Sequence, residues 1–494
     1  MYYPSYAQYN DCCVHSKVVP VSCEVTADME TPISIFKKLS TDQYCYLFES
    51  VEGGERWARY SFIGRRPFIT FKTVKGCTTV KIQNEVFNYN ESPFSVLQYL
   101  LDSFTSNTFT ELPRFYGGVV GYFGYDLIRY YENIEDKNFD ELGLPDCHLM
   151  VPEEVIVFDH LKQKIHIIIN TFPSIQNNSY HDALKKIDEI IDELAANRLD
   201  THRKDRKTEC SKSEYCFSVT KEEFCANVEK VKEYIRNGDI FQVVLSQRLS
   251  TEFNGDPFSV YRALRTLNPS PYMYYLKYEN YSIVGASPEM LVRMENGIVE
   301  TCPIAGTRPR GKTQEEDNMF EKELLCDEKE KAEHTMLIDL GRNDIGRVCS
   351  FGSVKTENMM HIERYSHVMH MVTNVTGTLA ENKTPLEVLK SLLPAGTVSG
   401  APKVRAMEII EETENRRRGI YAGAVGYIGF DGNLDTCIAI RTAVFKDNKV
   451  YIQAGGGIVA DSIPENEYAE SLNKAQALVK AISKAGEEND SDDR

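Results

Sequence analysis

No stretch of this chain approaches the roughly 20 consecutive apolar residues that a membrane helix requires. Its opening, MYYPSYAQYNDCC, has neither the cationic head nor the apolar run of a secretory signal and reads as a loose tail. Positive charge is in deficit, with 56 Lys and Arg against 73 Asp and Glu and a formal net charge of -17. A surface for nucleic acid would need a local basic patch working against the field of the whole molecule, and no such patch is visible. CxxC pairs are missing. The 13 cysteines lie singly apart from Cys12 and Cys13, which suits free thiols in a reducing compartment and makes the cytoplasm the expected location. HExxH is also absent, which excludes the zincin helix, and the glycine-containing stretch Gly396–Lys403 does not meet the Walker spacing GxxxxGK[ST].

What is present is ordinary globular composition, 42% hydrophobic and 26% charged, in 494 residues, enough for two core-forming regions or one large composite domain. The polar, mixed-charge segment 195–216 reads as a linker, dividing the chain into a tail (1–25), an N-terminal region (26–194), a larger region (217–485) and an acidic tail (486–494). After the linker, Thr220 and Glu223 form a capping box for a helix with Phe224, Val228, Val231 and Ile235 on one face. IFQVVLSQRL then alternates as a strand whose polar face, Gln242, Ser246 and Arg248, looks onto solvent or a site. YGGVVGYFGYD (Tyr116–Asp126) and YAGAVGYIGFD (Tyr421–Asp431) match at seven of eleven positions, which suggests a duplicated folding unit.

Several stretches carry chemistry-bearing residues. Glu330, Glu333 and His334 share a helix face, either as a solvated face or as a hard-cation site, since Mg2+ takes one or two carboxylates. Glu467, Glu470 and Lys474 recur on one side of a C-terminal helix that could bring a carboxylate opposite Glu333. His361, His367 and His370 invite a zinc reading without zinc spacing. LLPAGTVSGAPKVRAMEII resembles an anion-binding helix start, and Gly455, Gly456 and Gly457 give either close backbone approach to an anion or a tight turn. The stiff, cationic CPIAGTRPRGK (Cys302–Lys312) stands out against the acidic chain.

In order, CPIAGTRPRG, AEHTMLIDLGRND, RYSHVMH, GTVSGAPKVRAMEII, LDTCIAIRTA and QAGGGIVADS resemble the chorismate-utilising enzymes, in particular the anthranilate synthase component I family. The resemblance spans roughly Phe217 to Leu478, with a weaker match at LFES and RYSFIGRRP. It implies an α+β fold of two face-packed antiparallel sheets between helix layers with internal duplication. It further implies conversion of chorismate and ammonia to anthranilate and pyruvate, in tryptophan biosynthesis. Carried over by position, Glu333 and Glu470 hold Mg2+, the expected cofactor, against the ring carboxylate. Gly306 and Thr307 contact substrate. Tyr421, Arg441 and the backbone of Gly455–Gly457 hold the enolpyruvyl carboxylate. Glu289 is the general acid and His370 the base, while Thr397 and Lys474 line the site.

The cationic loop fits this reading as part of a wall recognising a small dianion. In related aminodeoxychorismate synthases a lysine nucleophile replaces Ala305, and in isochorismate and salicylate synthases a lysine stands where this chain has Gln242. Both absences point to external ammonia. No GxCxG glutaminase turn is present, which implies a separate glutamine amidotransferase subunit and a hetero-oligomer. LFES and NPSPYMYY resemble the family's tryptophan feedback site, with Glu49, Ser50, Pro271, Tyr272 and Met273 as contacts. The rival readings are aminodeoxychorismate synthase, a zinc hydrolase on the three histidines, and a non-catalytic tryptophan-binding regulator.

Overall fold

The two copies of the glycine-aromatic repeat lie side by side. Strand Gly118–Phe123 pairs antiparallel with Ala424–Gly429, and Gly121, opposite Gly426, is also its equivalent in the repeat. A local two-fold axis therefore passes between these glycines, in a computed structural model that describes residues 2–40, 42–51, 59–175, 179–196, 214–365 and 368–487.

Two antiparallel sheets extend from this symmetry. In the first, Val19–Thr26, Lys164–Thr171, the end of Cys147–Asp159, the start of Tyr60–Val74 and Cys45–Glu49 run in order to the midline. Across it follow Tyr272–Tyr278, Tyr281–Ser287, Thr442–Lys446, Lys449–Ile458 and Gln242–Glu252. The second sheet contains Glu85–Tyr89, Cys77–Ile82, the end of Tyr60–Val74, the start of Cys147–Asp159 and Gly118–Phe123. Ala424–Gly429, Leu434–Ile438, Met290–Glu295, Ile298–Thr301 and Val368–Thr378 complete it. Ile304–Pro309 and Lys355–Arg364 flank Val368–Thr378.

The inner faces meet through aromatic rings: Tyr278 stacks on His148 at 4.2 Å, and the Tyr122 and Tyr281 hydroxyls are 3.1 Å apart. Alternation sorts the remainder, with Val120 and Tyr122 pointing into this inner core and Val119 and Phe123 into a second one. Helices Pro32–Leu39, Ser179–Ala196, Pro257–Leu267 and Pro464–Glu487 cover the first sheet, and Pro93–Ser103 and Pro385–Leu392 the second. The expected two-sheet, helix-flanked, duplicated α+β architecture is the one observed. Among the described residues no helix is long and apolar enough to cross a membrane.

The domain division needs correction. Both large cores draw residues from either side of the linker, so 26–194 and 217–485 do not own separate interiors. The first 25 residues are not a loose tail: Tyr6–His15 is a capped helix and Val19–Thr26 a paired strand. Tyr9 holds them, buried, with its hydroxyl 2.9 Å from Thr171 and 2.5 Å from Ser179, a tyrosine-based attachment that aliphatic periodicity does not reveal. Residues 197–213 of the linker and 488–494 of the acidic tail lie outside the described residues.

A third, small cluster of Leu324, Met369 and Met371 stands apart from the two large cores. Phe320, Leu325, Met360 and Ile362 pack against it. It supports the outer end of the second sheet and the start of helix Glu328–Gly346.

Candidate active site

In the N-terminal half, Tyr60–Val74 and Cys147–Asp159 pass unbroken from one sheet to the other, crossing at the pair Pro67 and Pro152. Their counterparts in the C-terminal half are interrupted. One strand path breaks at Pro288 and Glu289, between Tyr281–Ser287 and Met290–Glu295. The other breaks at Ala439–Arg441, between Leu434–Ile438 and Thr442–Lys446. The breaks are stitched together, the Ile438 N–H donating to the Glu289 carbonyl at 3.0 Å and the Ala286 N–H to the Arg441 carbonyl at 3.1 Å. Arg441 takes φ 51, a left-handed conformation rare for a side-chain-bearing residue and held here by the surrounding strands. The result is a cavity of about 610 Å3 into which both side chains open.

The cavity floor is the strand Lys449–Ile458. Gly455, Gly456 and Gly457 lie within it, opposite Ser246, Leu245 and Val244, so they are neither a turn nor a loop. A Cβ at Gly455 would strike the Leu245 carbonyl, and one at Gly457 the Gln242 amide. Beyond Ile452 the strand's other edge has no ladder partner among the described residues, which leaves backbone N–H groups available beside Arg441. Helix Pro464–Glu487 brings Glu470 and Glu467 over Gly456, and Lys474 donates to the Gly455 carbonyl at 3.1 Å and pairs with Glu470 at 2.7 Å. From helix Glu328–Gly346, Glu333 accepts from the Gln242 amide at 3.2 Å.

The cationic loop is a strand, Ile304–Pro309, and its charges do not face the cavity. Arg308 is held by Glu323 and Asp327, each at 2.9 Å, and Arg310 by Asp317 at 2.6 Å. This corrects the reading of the loop as a cationic wall: the acidic helices following it neutralise both arginines, and only Ile304, Ala305, Gly306 and Thr307 reach the cavity. Gly306 has φ 65, and a Cβ there would sit 2.7 Å from Leu324, so the turn of chain that presents Thr307 requires glycine. His370, on the neighbouring strand, places Nδ1 2.9 Å from the Gly306 carbonyl and 3.2 Å from the Thr307 hydroxyl.

Electrostatics differentiate these groups. Burial pushes the Glu289 carboxyl up to about 7 despite the opposing pull of Thr397 and Lys474, so it can carry a proton near neutrality. Burial lowers His370, which leaves a neutral imidazole able to accept one. Burial also lowers Arg441, opposed by Tyr421 and Glu470. Glu330 and Glu467 are raised, by burial first and then by Glu333 and Glu470 respectively.

All thirteen residues expected in the substrate, catalytic and metal sets line this one cavity: Glu289, Gly306, Thr307, Glu333, His370, Thr397, Tyr421, Arg441, Gly455, Gly456, Gly457, Glu470 and Lys474. Its paired carboxylates from two helices, with open space between them, suit a hard cation that keeps positions for water and ligand oxygens. Among the described residues a zinc cage is not formed: no three His, Cys, Asp or Glu side chains are grouped to hold a metal, and His361 is engaged by Asn358 and Glu363. His367 lies outside the described residues. Lys329 and Gln453 also line the cavity and gave no signal in the sequence.

A second, small cavity of about 50 Å3 is lined by Glu49, Ser50, Pro271, Tyr272 and Met273, together with Arg114, Tyr427 and Asp435. It lies where Cys45–Glu49 of one half pairs with Tyr272–Tyr278 of the other. The Glu49 carboxylate is already taken, by the Tyr261 hydroxyl at 2.5 Å and by Arg265 at 3.0 Å. Arg114 and Asp435 come from distant segments, which is why local motifs missed them.

The family described as chorismate binding enzyme matches residues 43–480. The chain belongs to the chorismate-binding enzymes. An anthranilate synthase component 1 from Acetivibrio thermocellus is 56% identical over 99% of this chain and 100% of its own, and one from Aquifex aeolicus is 50% identical over 95% and 96%. The crystal structure of anthranilate synthase component I from Streptococcus pneumoniae superposes with a TM-score of 0.78 at 41% identity, covering 86% of this chain and 93% of that one. A menaquinone-specific isochorismate synthase from Escherichia coli shares the fold at a TM-score of 0.70 and 19% identity, covering 94% and 95%. This membership removes the zinc hydrolase reading.

Proposed function

We propose that this chorismate-binding enzyme is the large subunit of an anthranilate synthase, converting chorismate and ammonia to anthranilate, pyruvate and water. The observation that carries the reading is the pair Ala305 and Gln242, both lining the cavity, neither able to act as an amine nucleophile or as a base for water. Arg441, Tyr421 and the N–H groups of the glycine strand would grip the enolpyruvyl carboxylate, Arg441 with a two-pronged hold. Glu333 and Glu470 would hold Mg2+, which when bound neutralises the ring carboxylate. Glu289 gives its proton to the departing C4 hydroxyl as ammonia adds at C2. His370 then takes the C2 proton as the enolpyruvyl group leaves as pyruvate and the ring becomes aromatic.

The test is an assay of the purified chain with chorismate, Mg2+ and an ammonium salt. Anthranilate and pyruvate should appear in equal amounts, and a non-aromatic aminated product without pyruvate would instead make the chain an aminodeoxychorismate synthase. Glutamine should not replace ammonia, since the amide would have to be hydrolysed by a separate amidotransferase subunit. Glutamine-dependent turnover by the highly purified chain refutes that division of labour. With this assignment the cytoplasm is the expected location.

The small cavity is assigned to feedback by tryptophan. As it stands it has room for only a few waters, so an indole entering it must displace the side chains that line it, which come from strands of both halves, a coupling between effector and fold. Ser50→Arg should fill it. Tryptophan inhibition should be lost while the uninhibited rate stays within about twofold of wild type, because surface and small-pocket changes remote from chemistry carry little cost. Lost basal activity with intact inhibition would reassign Ser50 to the core.

A further inference from the structure

Arg418 lies outside the cavity lining, 2% exposed, yet it touches three of the cavity's walls. Nη1 donates to the Val398 carbonyl at 2.7 Å and Nη2 to the Val244 carbonyl at 2.7 Å. Nε and Nη2 also grip the Glu414 carboxylate at 2.9 and 2.5 Å, and Glu414 in turn accepts from the Ser246 N–H at 2.9 Å. The guanidinium carbon lies 5.5 Å from the centre of the Tyr421 ring. Val244, Val398 and Tyr421 all face the cavity, and Thr397, the residue before Val398, sits beside Glu289. A buried arginine needing only a counter-ion would be satisfied by Glu414. Here the planar fork spends its other donors on carbonyls from two separate chain segments, a geometry lysine cannot reproduce.

We propose that Arg418 is a positioning residue that fixes Thr397, Val244 and Tyr421 in the arrangement the reaction requires, acting chiefly through the Gly396–Val398 turn. This rests on the reading of the 610 Å3 cavity as the active site.

The experiment is a double-mutant cycle on the full chain, with ammonia-dependent anthranilate formation as readout and kcat and KM for chorismate resolved. Arg418→Lys should lower kcat/KM by about 100-fold while remaining folded, since displacement of a wall by about an ångström is worth that much. Thr397→Val alone should cost about tenfold, the loss of one hydrogen-bonding group in the site. In the Arg418→Lys background, Thr397→Val should cost less than about threefold, because the hydroxyl is already misplaced. Losses that multiply independently, or Arg418→Lys within twofold of wild type, overturn the proposal. If Arg418→Lys does not fold, the cycle is run with Glu414→Gln, which removes the guanidinium's carboxylate partner, and the same non-additivity is required. Arg441→Ala separates the two readings: unchanged KM for chorismate sinks the cavity assignment itself, whereas a raised KM with independent Arg418 and Thr397 effects sinks only the positioning role.

Discussion

Glu289→Gln should stop the disappearance of chorismate, lowering its rate of loss by on the order of a hundred- to ten-thousand-fold, the usual worth of a placed general acid. Glutamine keeps the volume and can still donate a hydrogen bond, but it has no proton to transfer, so the variant isolates proton transfer from packing. The wild-type pH profile should carry the same signature. The acid must be protonated to act, and burial holds its titration up to about 7. Values of kcat/KM, referred to the concentration of unprotonated ammonia, should therefore be flat below that pH and fall tenfold per unit above it. Referring to unprotonated ammonia matters, because the nucleophile itself becomes more abundant as pH rises. Chorismate loss by the variant at more than a tenth of the wild-type rate, or a wild-type profile flat through pH 9, would place the acid elsewhere.

The second large effect belongs to the paired carboxylates. Glu333→Gln and Glu470→Gln should each weaken Mg2+ binding by about a hundredfold and cut activity to a similar or greater degree, since a cation losing one of two protein carboxylates loses a charge along with a ligand. Calorimetry with Mg2+ in the presence of chorismate reads binding separately from turnover. The two variants should behave alike despite their different neighbours, Glu333 beside Gln242 and Glu470 beside Lys474. Retained Mg2+ affinity in either would remove that residue from the metal set. Rescue of a variant by millimolar Mg2+ is compatible with weakened binding and separates it from misfolding.

The residues that line the cavity were legible in the sequence only through the family resemblance, which short contiguous motifs carry; taken singly, the glycine triplet read equally as a turn, the carboxylate-bearing helix as a solvated face and Arg441 as a surface ion pair. What the sequence concealed was direction. Arg308 and Arg310 announce themselves as charge, but charge alone does not say which way a side chain points. Their partners Asp317, Glu323, Asp327 and Glu330 follow within a short span and turn them away from the cavity. The polar face carrying Gln242, Ser246 and Arg248 was open between solvent and site, and all three are buried, Ser246 bound to Glu414 and Arg248 to Glu141 and Gln453. Arg114 joined Tyr272 and Asp435 only through folding, because the three come from separate segments that carry no common motif. The tyrosine-rich start failed for another reason: Tyr9 and Tyr180 bury rings and satisfy hydroxyls without the aliphatic periodicity that signals a helix.

The small cluster of Leu324, Met369 and Met371 divides the site's residues by allegiance. Gly306, Thr307 and His370 ride on the outer tip that this cluster supports, Glu333 stands on a helix that runs from the tip into the second large core through Ile338 and Ile345, and Glu289, Tyr421, Arg441, the glycine strand and Glu470 belong to the body held by the two large cores. A cluster of three fully buried side chains gives little cooperative stability of its own. Any ligand that spanned Glu333 and Glu470 would therefore act as a clasp between tip and body, and whatever motion of the tip it quenched would be subtracted from its affinity.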